Sequence, residues 1–295
     1  MFDVIVCGSL HLDVMVRAPR LPGLDETLAG SAWGQQCGGK GGNQAVMAAR
    51  IGARTAMIGR VGDDGFGRRL LDHLASQGVD TRSVAVDRTT GSGMSVAIVD
   101  TSGDYAAVIV SGANLTIPPE SVAVDWAELD GAAILVLQNE VPEAVNVAAA
   151  REARAAGAKV LLNAAPVRPM DTSLLDLVDI LVVNRVEAAM LAGRTVDSER
   201  EARATLPVLA AAGRSVLITL GAGGIVGQDA AGQVFAIPGL PVQVVSTHGA
   251  GDAFIGSLVA RLATGAALEA AAHAANAAAA AHVSGQNQPC EDRSC

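Results

Sequence analysis

The 295-residue chain is half hydrophobic but only 2% aromatic, so one large domain or two modest ones would be built on Ala, Val, Leu and Ile. A net charge of −9 argues against a general nucleic-acid or membrane-surface role, yet leaves room for a small phosphorylated ligand in a local basic pocket. Cys7, Cys37, Cys290 and Cys295 show neither metal-ligand spacing nor a dense disulfide framework, which points to reduced thiols in a cytoplasmic protein.

Phe2 to Cys7 is a short apolar run with no basic segment before it, read as a buried strand rather than a signal peptide. Leu10 to Val16 alternates partly and carries His11 and Asp13. Pro19, Pro22 and Gly23 break the chain, and Glu26 to Trp33 reads as a further short strand. A glycine cluster, Gly38-Gly39-Lys40-Gly41-Gly42-Asn43, then opens a helix expected over Ala45 to Ile51. Thr55 to Val61 is a strand, and Phe66 to Gln77 a helix stopped by Gly78. Ser92 to Val99 and Tyr105 to Val110 flank a turn and form a predicted hairpin. With Leu10 to Val16 and Glu26 to Trp33, this hairpin makes a small separate sheet.

From Ile134 the pattern becomes strand, helix, strand. Ile134–Leu137, Val160–Asn163, Ile180–Val183 and Val216–Thr219 are strands, with helices over Glu143–Ala156 and Glu199–Ala212 among the segments between them. Such repeated units predict an α/β protein, a parallel sheet covered on both faces with ligands at the carboxyl ends of its strands. Asn139, Glu140, Asn163, Asn184 and Gly221 all fall at those ends. Ala266 to Ala281 is interrupted by Glu269, His273 and Asn276, as in a soluble helix rather than a membrane span. After Ser284 the chain turns polar, and residues 290–295 read as a tail.

The most informative stretch is Ser246 to Phe254. Val242 to Val245 before it reads as a strand, and Ala253 to Leu262 after it reads as a helix. Gly249-Ala250-Gly251 is then a turn into a helix whose first residues include Asp252. Small residues let backbone amides approach an anion at a helix N-terminus, and a carboxylate there is placed to take a proton from an attacking hydroxyl. A glycine turn followed by a capped helix fits the same residues.

Four segments in order resemble the ribokinases within the PfkB carbohydrate kinase family. These are Gly38 to Val46, Asn184-Arg185-Val186-Glu187, Thr219 to Gly224, and Thr247 to Asp252; Gly112-Ala113-Asn114 and Asn163 to Pro166 are also similar to ribokinase segments. The resemblance runs from about residue 4 to 285. It implies a three-layer α/β/α sandwich, one kinase domain over 1–289, with a mostly parallel sheet and a small β-sheet lid from about 10–34 and 91–111. It further implies ATP- and Mg²⁺-dependent transfer of a phosphoryl group to a primary hydroxyl of a sugar, ribose or a related carbohydrate, and a homodimer through the lid.

By the same resemblance Asp252 is the general base, and Gly249, Ala250 and Gly251 supply amides to the transferring group. Asp13, Gly39, Lys40, Asn43 and Glu140 match ribose-binding positions, with His11 beside them. Thr219, Gly221, Gly224, Ala250, Gly251 and Asn276 fall on the nucleotide side. Asn184 and Glu187 organise Mg²⁺ largely through water, which suits an ion that keeps its hydration shell. Taken alone, Asn184 and Glu187 also fit a simple helix start, and Lys40 a solvated lysine.

Two departures stand out. His11 occupies a position usually held by Asn, so an altered sugar preference is one reading and a tolerated change another. Ser246 replaces an Asp that helps form a monovalent-cation site, so weak or absent K⁺ activation is expected. A nucleoside kinase of the same fold and a non-catalytic sugar- or nucleotide-binding regulator are the alternatives. Trp33 is the obvious base platform for the former, whereas Asp252 with its glycine turn argues against the latter. A Rossmann dehydrogenase does not fit, because no Gly-x-Gly-x-x-Gly follows the first strand.

Overall fold

The computed structural model describes residues 1–102 and 104–285. In chain order its elements are β1 (Phe2–Cys7), β2 (His11–Arg17), β3 (Ala32–Gly38), α1 (Lys40–Arg50), β4 (Thr55–Gly62), α2 (Gly65–Ser76), β5 (Val84–Asp87), β6 (Gly93–Val99) and β7 (Tyr105–Val110). There follow α3 (Ser121–Glu128), β8 (Ala132–Gln138), α4 (Glu143–Ala155), β9 (Lys159–Asn163), α5 (Thr172–Leu175), β10 (Ile180–Asn184), α6 (Arg185–Ala192) and α7 (Glu199–Leu209). The chain closes with β11 (Ser215–Thr219), β12 (Ile225–Gln228), β13 (Val234–Ile237), α8 (Ala250–Ala263) and α9 (Leu268–Val283).

The strands form a large sheet in the order β13-β12-β11-β10-β9-β8-β1-β4-β5 and a small one in the order β3-β2-β6-β7. Pairing in the large sheet is parallel from β11 through to β5, and antiparallel only at β12 and β13. Strand alternation divides its side chains between two cores. Ile5 and Cys7 point to the layer containing α3, α4, α6 and α7, whereas Val4 and Val6 point to the layer of α1, α2, α8 and α9. The three-layer α/β/α architecture is therefore the one expected, with the smaller sheet standing apart. With so few aromatics, close helix contacts rest on small residues: Ala271, Ala272 and Ala275 of α9 are fully buried.

The small sheet joins the body through crossings that are clamped together. Asn114, fully buried, accepts from the Leu10 amide at 2.8 Å and donates to the Leu10 carbonyl at 2.8 Å and the Ser111 carbonyl at 2.9 Å. It thus ties the exit of β1 to the exit of β7. Asp64, which caps α2 through Gly67, also accepts from the Ser92 amide and hydroxyl at the entry to β6.

The structure corrects several sequence expectations. The strand expected over Glu26 to Trp33 lies later, at Ala32–Gly38, in a register set by β2 from Arg17↔Ala32 to His11↔Gly38. Residues before it are held in a polar turn by Glu26, which pairs with Arg20 and accepts from the Gly23 amide. Val242 to Val245 form no strand. The amides of Val245 and Ser246 both donate to the Val283 carbonyl at the end of α9, at 2.7 and 3.2 Å. A helix terminus takes the hydrogen bonds that a neighbouring strand would need. The helix expected from Ala45 begins at Lys40, so the glycine cluster is its first turn. Strands β5, β12 and β13 carried no clear sequence signal.

Among the described residues no helix is long and apolar enough to cross a membrane. Cys7 and Cys37 are free thiols, the buried Cys7 pushed up to about 12 by burial first and by Asp125 second. The expected tail at 290–295, with Cys290 and Cys295, lies outside the described residues.

Candidate active site

Glycines bring the first turn of α1 against the loop that follows β1. Gly39 caps α1 at φ 86°, and a Cβ there would come within 2.8 to 2.9 Å of the His11 amide, Leu10 Cα and the Ser9 carbonyl. Only glycine combines that conformation with that approach. The packing carries Lys40 and, three and four positions on, Asn43 and Gln44 toward the carboxyl edge of the sheet.

α8 arrives from the other side. Gly249 (φ 74°) precedes it, and Asp252 stands in its first turn, 9% exposed. One carboxylate oxygen of Asp252 accepts from Asn43 Nδ2 at 3.0 Å and the other from Gln44 Nε2 at 2.9 Å. Gln44 Oε1 in turn accepts from Gln138 Nε2 at 2.9 Å. Burial raises the Asp252 pKa above the ordinary carboxylate range; Lys40 and the two amide donors oppose this, and Glu140 adds to it. An acid buried this way is a stronger base than an exposed one, which suits general-base chemistry near neutral pH.

Glu140, just past β8, gathers the other face. Its Oε2 accepts from Ser9 Oγ at 2.5 Å and from the Lys40 amide at 2.9 Å, and its Oε1 lies 3.9 Å from Lys40 Nζ. His11 Nδ1 is 4.0 Å from the same carboxylate. Burial lowers the His11 pKa, with Glu140 and Asp13 resisting, so the ring is neutral near pH 7; its Nε2 is buried without a partner. Asp13 lies on the same strand face two residues on. It accepts from Oγ of Ser95, its register partner on β6, at 2.5 Å.

Lys40 electrostatically links this cluster to Glu187. Asn184 and Glu187 form a complete capping box at α6: Asn184 Oδ1 accepts from the Val186 and Glu187 amides, and Glu187 Oε2 accepts from the Asn184 amide. Burial raises the pKa of Glu187, whereas the Asn184 amide and Lys40 lower it. The helix-start reading is thus realised, with Glu187 Oε1 not used in the cap. Among the described residues no cluster of three or more His, Cys, Asp or Glu forms a cage for a metal. A single carboxylate oxygen beside an amide fits Mg²⁺ only where water and phosphate oxygens complete the shell.

The remaining expected residues lie at the end of β11 and the turn after it, at the start of α8 and on α9. Thr219 ends β11 and Gly221 opens a short 3₁₀ turn closed by the Leu220 amide on the Gly224 carbonyl at 2.8 Å. Gly224 packs on the Ile237–Gly239 backbone, whose Pro238 carbonyl accepts from Asn276 Nδ2 of α9 at 2.9 Å. The Ala250 amide closes onto the Thr247 carbonyl at 3.3 Å, while a Cβ on Gly251 would meet nothing within 4 Å. The Cα of Gly251 thus borders open space at the start of α8, where the Ala253 amide already donates to the Gly249 carbonyl at 2.9 Å.

Sequence reasoning did not single out Ser9, Gln138 or Ser95 and saw Gln44 only as part of a glycine motif. Ser95 was findable once the β2–β6 register was known; the others lacked a local signal.

The pfkB family carbohydrate kinase model matches residues 1–288. Ribokinase of Bacillus subtilis (strain 168) is 34% identical over 279 residues, covering 95% of this chain and 92% of the relative. Deoxyribokinase of Salmonella typhi is also 34% identical, over 256 residues, 86% of this chain and 83% of the relative. The structure of Arabidopsis thaliana ribokinase complexed with ribose and ATP superimposes with a TM-score of 0.87 at 29% identity, covering 95% of this chain and 92% of that one.

Proposed function

The chain belongs to the pfkB family of carbohydrate kinases, and we propose that it transfers the γ-phosphoryl group of ATP to a primary hydroxyl of ribose or a closely related sugar, with Asp252 as general base. One observation carries this reading. The buried Asp252 carboxylate is held by Asn43 and Gln44 in the first turn of α8, next to Gly251, whose Cβ position is open, and Lys40 and Glu140 act on its charge.

In this reading Lys40, Asn43, Glu140 and Asp13 orient the sugar hydroxyls, with Gly39 as the close wall. Asp252 removes the hydroxyl proton as the oxygen attacks. Amides at the start of α8 receive charge that develops on the transferring group, an electrostatic task that needs little covalent chemistry from the protein. Thr219, Gly221, Gly224 and Asn276 border the nucleotide. Asn184 and Glu187 would hold Mg²⁺ through water, the ion neutralising phosphate charge.

Residues 1–289 act as one kinase unit with the small sheet as its lid. On the face of this sheet opposite Asp13 its strands expose Trp33 and Val108; these apolar side chains support pairing of two copies through the lid. Relatives named for ribose and for deoxyribose are both 34% identical to this chain, so the preferred sugar is decided by the pocket. Here His11 presents a rigid neutral ring where an amide is usual.

ADP release is the test, with ribose, deoxyribose, other pentoses, hexoses, ketohexoses and nucleosides as acceptors. Turnover with a pentose is expected. Turnover with nucleosides alone would replace the reading by a nucleoside kinase, and ATP binding with no acceptor turned over would favour a regulator.

A further inference from the structure

The last turn of α9 grips the segment that leads into the phosphoryl-binding turn. Val283 takes the amides of Val245 and Ser246 on its carbonyl. His282, the neighbouring residue, places its ring Nε2 2.9 Å from the His248 carbonyl. A carbonyl only accepts, so this nitrogen carries the hydrogen. The same Nε2 lies 3.1 Å from where a Cβ on Gly249 would stand. The ring therefore fills the space against the residue whose left-handed conformation starts α8. On the other side the His248 amide donates to Ser246 Oγ at 3.2 Å.

These residues do not fit the monovalent cation expected in ribokinase-like proteins. Position 246 offers a hydroxyl rather than a carboxylate, and the His248 carbonyl already has a donor. A bound cation needs several oxygens with negative character converging on it, and here the His248 carbonyl meets a ring N–H instead.

We propose that His282 is the positioning residue of the phosphoryl-binding turn: its N–H, rather than a bound monovalent cation, holds the His248 carbonyl and fixes Gly249. Turnover is then independent of K⁺. The inference rests on the kinase reading above and adds to it how the turn is kept in shape. A small displacement of that turn would misdirect the first-turn amides, which act only when aimed at developing charge.

The test compares wild type with H282F, which fills the volume without a donor, and H282Q, which restores one. Steady-state kcat and KM are measured in K⁺ and in tetramethylammonium, and thermal melts show that each variant is folded. Wild type is expected to turn over equally in both cations. H282F should lose about tenfold in kcat, the scale of one net hydrogen bond, with the sugar KM unchanged, and H282Q should recover most of it. Strong stimulation of wild type by K⁺ would overturn the proposal. So would an H282F variant as fast as wild type, or an H282Q variant as slow as H282F. D252N run alongside separates the two levels: if it turns over normally the kinase-site reading fails, whatever His282 does.

Discussion

Replacing Asp252 by Asn separates the chemistry of this residue from its structural cost. The carboxylate is 9% exposed, and burial outweighs Lys40, Asn43 and Gln44 in setting its pKa above the ordinary carboxylate value of about 4. A group whose folded pKa is raised stabilises the fold fully below its unfolded pKa. That contribution is lost as pH rises through the folded pKa. Wherever Asp252 is ionised it is therefore a stability cost accepted at the site, and the Asn substitution removes that cost.

The introduced side-chain amide must still satisfy its neighbours, since both Asn43 Nδ2 and Gln44 Nε2 donate to Asp252. The Gln44–Gln138 pair can reverse. Gln44 Oε1 would then accept from the introduced amide, and Gln44 Nε2 would donate to Gln138 Oε1, which is buried and unpartnered in the wild type. The exchange leaves the number of hydrogen bonds between these side chains unchanged.

Two readouts follow. In an ADP-release assay D252N should fall by about 10²–10⁴-fold in kcat, the usual worth of a general base. In thermal melts it should be more stable than wild type at neutral pH, by a margin that shrinks as pH falls toward about 4. In wild type the acid limb of the rate profile should sit above the ordinary carboxylate range. Near-normal turnover would remove Asp252 from the mechanism. A destabilisation confined to neutral pH would show that the burial argument has the wrong sign.

Other consequences are more local. G251A should leave the fold intact or raise stability by about 0.5–1 kcal/mol, since a helical Gly gains from Ala and the methyl meets open space; kcat should nonetheless drop about 10²-fold as that methyl enters the phosphoryl space. E140Q keeps an acceptor for Ser9 and the Lys40 amide but loses charge against Lys40. Its sugar KM should rise about 10–100-fold, the scale of a hydrogen bond to a charged group, with kcat nearly held. N114A removes the side-chain partner of the Leu10 amide and carbonyl where the small sheet joins the body, while the Ser111 carbonyl keeps the backbone amide of position 114. Chemical denaturation should show a loss of about 1–3 kcal/mol, together with a raised sugar KM.

The layers of the fold were legible where strands are long, apolar and buried on both faces. β1, β8, β10 and β11 lie within the large sheet and read directly from their runs of Val, Ile and Leu. The edges were not legible. β5, β12 and β13 are short, and their pairing rather than their composition makes them strands. Val242 to Val245 shows the converse: strand-like composition is not enough when the acceptor at hand for Val245 and Ser246 is the end of α9.

The site divides along the same line. Asp252 stood out as a carboxylate beside a glycine turn, whereas Lys40, Asn43 and Glu140 were singled out by the resemblance to ribokinases. Gln44, Ser9, Ser95 and His282 were not, because each acquires its role from a partner far along the chain. Gln44 meets Asp252 across 208 positions, and Ser9 meets Glu140 across 131. An ordinary serine, glutamine or histidine carries no local mark of such a meeting. His282 is the sharpest instance: from the sequence it is one polar residue at the end of an alanine-rich helix. Only the fold, by carrying that helix end beside Gly249, gives its ring nitrogen a carbonyl to hold.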